Sequence, residues 1–305
     1  MDQLLLKARG VEIPLGERPL VMGILNINDD SFSEDGCTDP FMALSRAREM
    51  LAEGADIIDV GAESARTNRG PITVEEEIQR LLPFVQNFES AVASTSNSRH
   101  YKYPPLLSIN TWRPLVGRTV LASGGHILND IGALPTSENA HICAEYGTAL
   151  VIMHSIGQPK VPHRHIRYRN VLESLQSFFE EKIKWAKQAG MERSRIILDP
   201  GIDFAKQVED NLMIYRRLEI LRAFRLPILL PVSRKHVIGS VLDIQKPSQR
   251  DAGTVACVVS GILRGAAIFR VHNVRAAVET LNLMQKLSSS QRESENIRTK
   301  MPINL

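Results

Sequence analysis

The chain has little cysteine: three residues in 305, at Cys37, Cys143 and Cys257, far apart and in no Cys-x-x-Cys pair. That spacing excludes a disulfide framework and a structural zinc site of the usual kind, and makes a reducing compartment, the cytoplasm, the expected setting. There is no uninterrupted apolar run approaching the roughly 18 residues that a membrane span requires. Nor do the first residues place a basic start before a long apolar stretch, as a secretory signal does. No membrane partner is expected. Charge excess is also missing, since 37 Lys and Arg against 34 Asp and Glu leave a formal charge of +3. The bases are dispersed apart from a patch at Arg164 to Arg169, so no nucleic-acid partner is expected.

What is present is apolar and periodic. At 43% hydrophobic residues the chain can bury a sizeable core, enough for one α/β barrel of roughly 250 residues with extensions. Eight short, β-branched runs lie at 20–26, 57–62, 106–111, 127–131, 149–154, 196–200, 228–233 and 268–272. Several are apolar throughout, as strands of a parallel sheet buried on both faces are. Between them lie stretches with apolar residues at intervals of three and four, for example Val74 to Phe88 and Val171 to Ala189, which read as helices. Eight strand-helix alternations with right-handed crossovers predict an α/β fold of the (β/α)8 TIM-barrel type; an open doubly wound sheet is the rival. The opening LLLKARGVEIPLG reads as an N-terminal β-hairpin plugging the barrel's base. One domain is expected over residues 1–287, with a Ser-rich surface insertion at Ala91 to Tyr103 and a loosely packed tail at 288–305.

Polar residues collect at the C-terminal ends of the runs, where barrel enzymes keep their chemistry. The segments are GILNINDDSFSEDG from Gly23, IIDVGAES from Ile57, LSINT from Leu107, ILNDI from Ile127, IILDPG from Ile196, PVSRK from Pro231 and IFRVH from Ile268. Together they supply amides (Asn26, Asn110, Asn129), acids (Asp30, Glu63, Asp130, Asp199) and bases (Arg66, Arg234, Lys235, Arg270, His272). Such a mouth suits a ligand with a hydrogen-bonding heterocycle at one end and phosphates at the other. Arg66, Arg270 and His272 could bind phosphate oxygens, and Asn26 could ligate a Mg²⁺ held by them. Asp199 precedes Pro-Gly and either reads an amino-pyrimidine edge or caps its own turn. Lys235 has a similar alternative as a solvated lysine at a helix start. His154 either approaches the ligand or fills the rim, Trp112 is expected to pack, and His163 with His165 reads as a solvated pair before it reads as a chelate.

In order, and over roughly residues 5–287, these segments resemble the dihydropteroate synthases, the folate-pathway branch of the pterin-binding barrel family; GILN with DSFS, LDPG, SRK and RVH carry the resemblance. It implies a transferase in which the amine of 4-aminobenzoate displaces pyrophosphate from a dihydropterin methylene. It further implies that Asn110, Asn129, Asp199, Lys235 and Phe204 hold the pterin. Asn26, Arg66, Arg270 and His272 would hold the pyrophosphate, with Mg²⁺ on Asn26. Lys235, Asp199, Asn110 and Arg270 would be the catalytic group, and Ala65, Arg66, Thr67, Phe204, Arg234 and His236 the second-substrate side. A homodimer through outer helices, in the region of Val255 to Ile268, is implied as well.

Departures from the family pattern gather on one side of the site. Asn28-Asp29 stands where the family usually has Thr-Pro, and Ala65, Thr67 and Asn68 replace its usual loop-2 residues. His236 replaces a Ser, while Asp203 and Ala205 replace two glycines. Asp29 and Asp203 would face the carboxylate of an aminobenzoate, a repulsion of roughly 3 kcal/mol at about 5 Å and an effective dielectric near 20. A protonated His236 would offset part of it, or else simply packs at a helix start. Asn110 stands where the family has an Asp beside the pterin, and the missing charge is a term of roughly 4 kcal/mol, about a thousandfold in rate. Three readings follow: a synthase with weakened sulfonamide binding, a pterin-holding paralogue without turnover, and a pterin-dependent methyltransferase of the same superfamily.

Overall fold

A computed structural model describes residues 4–28, 39–63, 70–96, 103–161, 163 and 165–299. Asp29, Asp30, Cys37, Ala65, Arg66, Thr67, Asn68 and Arg164 lie outside the described residues.

All eight expected strands form: β3 Leu20–Asn26, β4 Ile57–Gly61, β5 Leu106–Asn110, β6 Ile127–Asp130, β7 Ala149–Met153, β8 Ile196–Asp199, β9 Leu229–Pro231 and β10 Ile268–Val271. They are parallel and hydrogen-bonded in the order β8-β7-β6-β5-β4-β3-β10-β9, and a parallel bridge from Leu198 to Ile228 joins the two ends into a barrel. The nine helices among the described residues are α1 Pro40–Glu53, α2 Val74–Ser96, α3 Pro114–Ser123, α4 Glu138–Tyr146, α5 Val171–Gln188, α6 Val208–Arg216, α7 His236–Leu242, α8 Asp251–Leu263 and α9 Val274–Thr299. Local chemistry sets their ends. Asp39 accepts the amides of Phe41 at 2.7 Å and Met42 at 3.4 Å, Pro40 opens α1, and Gly54 at φ +109° stops it. One boundary differs from the sequence reading, since α2 continues into the Ser-rich stretch as far as Ser96; α9 runs from Val274 to Thr299.

Every second residue of a strand points inward, which sorts the side chains into layers. Val21, Ile58, Leu107, Leu128, Leu150, Leu198, Leu230 and Phe269 face the helices. Leu20, Met22, Ile57, Leu106, Ile127, Ala149, Ile197, Leu229 and Ile268 fill the base of the barrel. Leu6, Ala8, Ile13 and Leu15 complete this basal cluster, from the antiparallel hairpin β1 Leu5–Ala8 and β2 Val11–Pro14. Its two-residue turn, Arg9-Gly10, has positive φ at both positions, as a tight hairpin requires. The base is therefore closed with apolar side chains, and polar chemistry is left to the other end.

Candidate active site

Two positions further along the strands, the inward layer turns polar. Asp59 in β4 is fully buried and is the hub of that layer. Its Oδ1 accepts from Ser108 Oγ at 2.6 Å and from Asn129 Nδ2 at 3.2 Å. Its Oδ2 accepts from Arg270 Nε at 2.7 Å, Asn129 Nδ2 at 3.2 Å and Asn110 Nδ2 at 3.3 Å. The register explains the convergence: Asp59 pairs with Ser108, Gly61 with Asn110, and Asn110 with Asn129. Gly61 is part of the design, since a Cβ there would stand 3.3 Å from Asn110 Cβ. Sequence reading missed Asp59, although a lone acid within the apolar run IIDVG has to face a buried polar partner. Asn110, Asn129 and Arg270, all expected at the site, are brought together by it.

Asp199, at the end of β8, is buried and makes the turn contact that is one of the two readings for it. Its Oδ1 accepts the Gly201 amide at 2.7 Å, closing the turn. Burial pushes its carboxyl up to about 6, against the downward pull of that amide and of Lys235, Lys206 and Arg270. Gly201 sits at φ +67°, and a Cβ would fall 1.9 Å from His154 O, so no other residue fits. Lys235 donates to Ile202 O at 3.0 Å, its Nζ is 5.1 Å from the Phe204 ring centroid, and burial lowers its pKa. Lys206 donates to Phe204 O at 3.0 Å and His154 O at 3.2 Å, and burial lowers it to about 7. Burial, then Lys206, pushes His154 down to about 2, so its neutral ring accepts from Lys206 at Nδ1, 2.9 Å away, and the Nε2 proton points to Ser174 Oγ at 3.3 Å. With Phe178 at 4.9 Å and Tyr168 at 5.9 Å, His154 fills the outer rim.

On the expected second-substrate side, the departures from the family pattern have structural partners. The Asp203 carboxylate was expected to stand against an incoming carboxylate. In the structure its Oδ2 accepts the His236 amide at 2.5 Å and its Oδ1 the Val237 amide at 3.2 Å, capping α7. Asp203 and Ala205 have φ of +70° and +50°, the left-handed region that the family's glycines occupy without cost. His236 runs along α7 to Ser240 Oγ at 3.3 Å, the helix-start alternative. Arg234, at φ +56°, pairs with Asp251 through Nε at 2.7 Å and Nη2 at 3.2 Å. His272 is buried beside Ser233, with Nδ1 2.8 Å from its hydroxyl. Phe204 is half-buried between Gly201 and Lys206.

Asn26 is half-buried at the mouth end of β3, in register with Gly61. Asp130 faces outward, where Gly132 N and Asn139 Nδ2 satisfy it and burial raises it to about 6, so it caps a turn and takes no part in the mouth. Glu63, just beyond β4, is buried against Arg113 Nη1 at 2.8 Å and Lys160 Nζ at 2.9 Å, which ties the loop after β7 to the loop after β4. Trp112 packs beneath the Arg113 guanidinium, 5.2 Å from its ring centroid, and over Gly132. His163 and His165 rings lie 6.2 Å apart, and among the described residues no group of three or more His, Cys, Asp or Glu is placed to hold a metal.

Comparison with known proteins gives a consistent result. Residues 22–272 match the family described as pterin binding enzyme. The Escherichia coli K12 dihydropteroate synthase is 36% identical over 285 residues, 93% of this chain and 96% of the relative. The Bacillus subtilis dihydropteroate synthase is 37% identical over 273 residues, 89% of each. Among solved structures, Yersinia pestis dihydropteroate synthase with a sulfonamide drug superposes with a TM-score of 0.84 at 34% identity, covering 94% of this chain and 100% of that one. The Thermus thermophilus enzyme in complex with 4-aminobenzoate superposes at 0.79 with 37% identity, covering 93% and 99%.

Proposed function

The chain belongs to the pterin-binding enzyme family as a dihydropteroate synthase, and from that premise we infer which of its residues hold which part of the reactants. The reaction joins 6-hydroxymethyl-7,8-dihydropterin pyrophosphate to 4-aminobenzoate. The methylene C–O bond breaks, pyrophosphate leaves with its electron pair, the amine nitrogen bonds the methylene carbon, and the amine loses a proton. The product is dihydropteroate, for folate synthesis.

The observation that carries the assignment of roles is the polar layer above a sealed apolar base. Asp199 offers a buried acceptor for the amino-pyrimidine edge, with Lys235 above Phe204 beside it. Asn110 and Asn129 stand on Asp59 across the same floor. Arg270 spends Nε on Asp59 and keeps its Nη groups for pyrophosphate oxygens, joined by His272, Asn26 and Arg66. Positive charge fixed there stabilises the departing anion, so catalysis is mainly positioning and charge complementarity. The second-substrate side comprises Ala65, Arg66, Thr67, Phe204, Arg234 and His236.

Mg²⁺ fits this donor set: no carboxylate cage is needed, because Mg²⁺ commonly binds through one or two protein oxygens plus substrate phosphates, and Asn26 supplies such an oxygen. When bound, it supplies charge to the pyrophosphate. A homodimer is supported by the exposed Leu263 of α8 with Val241 and Leu242 of α7, which leave apolar surface on adjacent helices. Among the described residues no helix is long and apolar enough to cross a membrane. The test is calorimetric titration with the pterin pyrophosphate, with and without Mg²⁺, on the parent and on Asp199→Asn and Lys235→Met. Micromolar binding by the parent that both variants lose supports the assignment; binding unaffected by either variant contradicts it.

A further inference from the structure

We propose that Asp59 is the positioning residue of the pterin pocket: it turns the amides of Asn110 and Asn129 so that both present carbonyl oxygens to the ligand, and it aims Arg270 at the pyrophosphate. This rests on the dihydropteroate synthase reading and adds to it a residue that touches no reacting atom.

A carboxylate only accepts hydrogen bonds, and the Arg270 Nε–H donates to Asp59 at 2.7 Å, a charge-assisted contact. Any amide within reach of it must therefore offer nitrogen. Asn129 Nδ2 bridges both Asp59 oxygens, and Asn110 Nδ2 reaches the second. Each amide then has one group left, its Oδ1, directed away from Asp59. Asn129 is 1% exposed, and its Oδ1 is buried with no hydrogen-bond partner. A buried acceptor left unpaired is costly, and a ring N–H of the pterin supplies the missing donor.

The same geometry changes the meaning of Asn110. With its nitrogen held from below, the amide shows the ligand an acceptor, as the acid of the family pattern does. The pair at 59 and 110 keeps one carboxylate and one amide within 3.3 Å of each other. Asp59 is fully buried and Arg270 holds its second oxygen through Nε, so the guanidinium's Nη groups remain for phosphate oxygens.

Polarity makes this testable. In Asp59→Asn the new amide nitrogen replaces Oδ2 and opposes the donors of Arg270, Asn110 and Asn129, or replaces Oδ1 and opposes those of Ser108 and Asn129. Either way an acceptor facing the pterin is exchanged for a donor. The swap Asp59→Asn with Asn110→Asp reverses the direction of the bond between the two positions and restores acceptors to the pocket. Affinity for the pterin pyrophosphate, read by calorimetry, and pyrophosphate release with 4-aminobenzoate are measured on parent, single and swapped proteins, with melting temperatures alongside. The single variant is expected to lose about thirtyfold in affinity and at least as much in kcat/KM, and the swap to recover to within about fivefold of the parent. A folded single variant that binds as the parent does, or a folded swap that stays as weak as the single, overturns the proposal. A parent that neither binds nor turns over sinks the functional reading instead. The amide geometry is then judged on the parent alone by ¹⁵N-resolved NMR, where slowed exchange of the Asn110 and Asn129 side-chain protons supports the proposal and free exchange overturns it.

Discussion

The Asp203 carboxylate accepts the backbone amide of His236 at 2.5 Å, stitching the turn after β8 to the first residue of the helix after β9. That bond spans the two strand ends carrying Asp199 and Lys235, so the relative placement of both site residues depends on it. It also accounts for an acid at a position with φ +70°, where the side chain offsets the backbone cost by capping α7.

Asp203→Ala removes the cap and keeps the left-handed backbone, and is expected to cost about 1–3 kcal/mol. Asp203→Asn keeps an acceptor and a residue that tolerates that conformation, and is expected to cost under about 1 kcal/mol. Urea unfolding at pH 7 checks this; equal costs for the two variants would contradict the capping role.

Asp199 links pH to function. Its folded pKa of about 6 lies above the usual carboxylate value, so the proton is held more tightly in the folded state. Its contribution to stability is therefore present below the unfolded pKa and lost as pH rises through about 6. Asp199→Asn should be more stable than the parent at pH 8, by about 2 kcal/mol, while losing the pterin. In the parent, pterin affinity should fall about tenfold per unit below pH 6 as the acceptor becomes protonated. Affinity that stays flat from pH 5 to 8 would contradict this.

Arg113 joins two buried acids, with Nη1 2.8 Å from Glu63 and 2.5 Å from Glu77. Burial raises the Glu77 pKa, against the pull of Thr111 and Arg113. Arg113→Met leaves buried charge unpaired and is expected to cost about 3–5 kcal/mol at neutral pH. Because a raised carboxyl loses its contribution as pH rises, the deficit should shrink at pH 5. Thermal melts across that range provide the check, and a deficit independent of pH would contradict it.

Two glycines should respond differently to alanine. At Gly201 the added Cβ meets a backbone carbonyl at 1.9 Å, so Gly201→Ala is expected to cost more than about 4 kcal/mol and to abolish soluble folded protein. At Gly61 it meets the Asn110 side chain at 3.3 Å, so Gly61→Ala should fold and bind the pterin pyrophosphate about tenfold more weakly. Expression and calorimetry separate these outcomes.

The barrel was legible in the sequence because each strand announces itself as a short apolar run, and the polar residues closing the runs mark the mouth. Asn110, Asn129 and Arg270 could be named from their strand ends, but their common anchor could not. Asp59 lies in mid-strand, and only the register between β4, β5 and β6 brings Ser108, Asn110 and Asn129 onto it. The capping of α7 by Asp203 went unread for a similar reason. Its charge drew attention to the substrate, and its bonds to main-chain amides 33 and 34 positions away carried no sequence signal. Side-chain-to-backbone bonds across elements leave no spacing pattern to read.

The most direct test of the account is a pyrophosphate-release assay on the purified protein with the pterin pyrophosphate, Mg²⁺ and 4-aminobenzoate, with dihydropteroate identified by mass. Steady turnover that requires all three and disappears in Asp199→Asn is the expected result. Tight pterin binding without pyrophosphate release would contradict it, and would leave a pocket that holds the pterin without joining it to an amine.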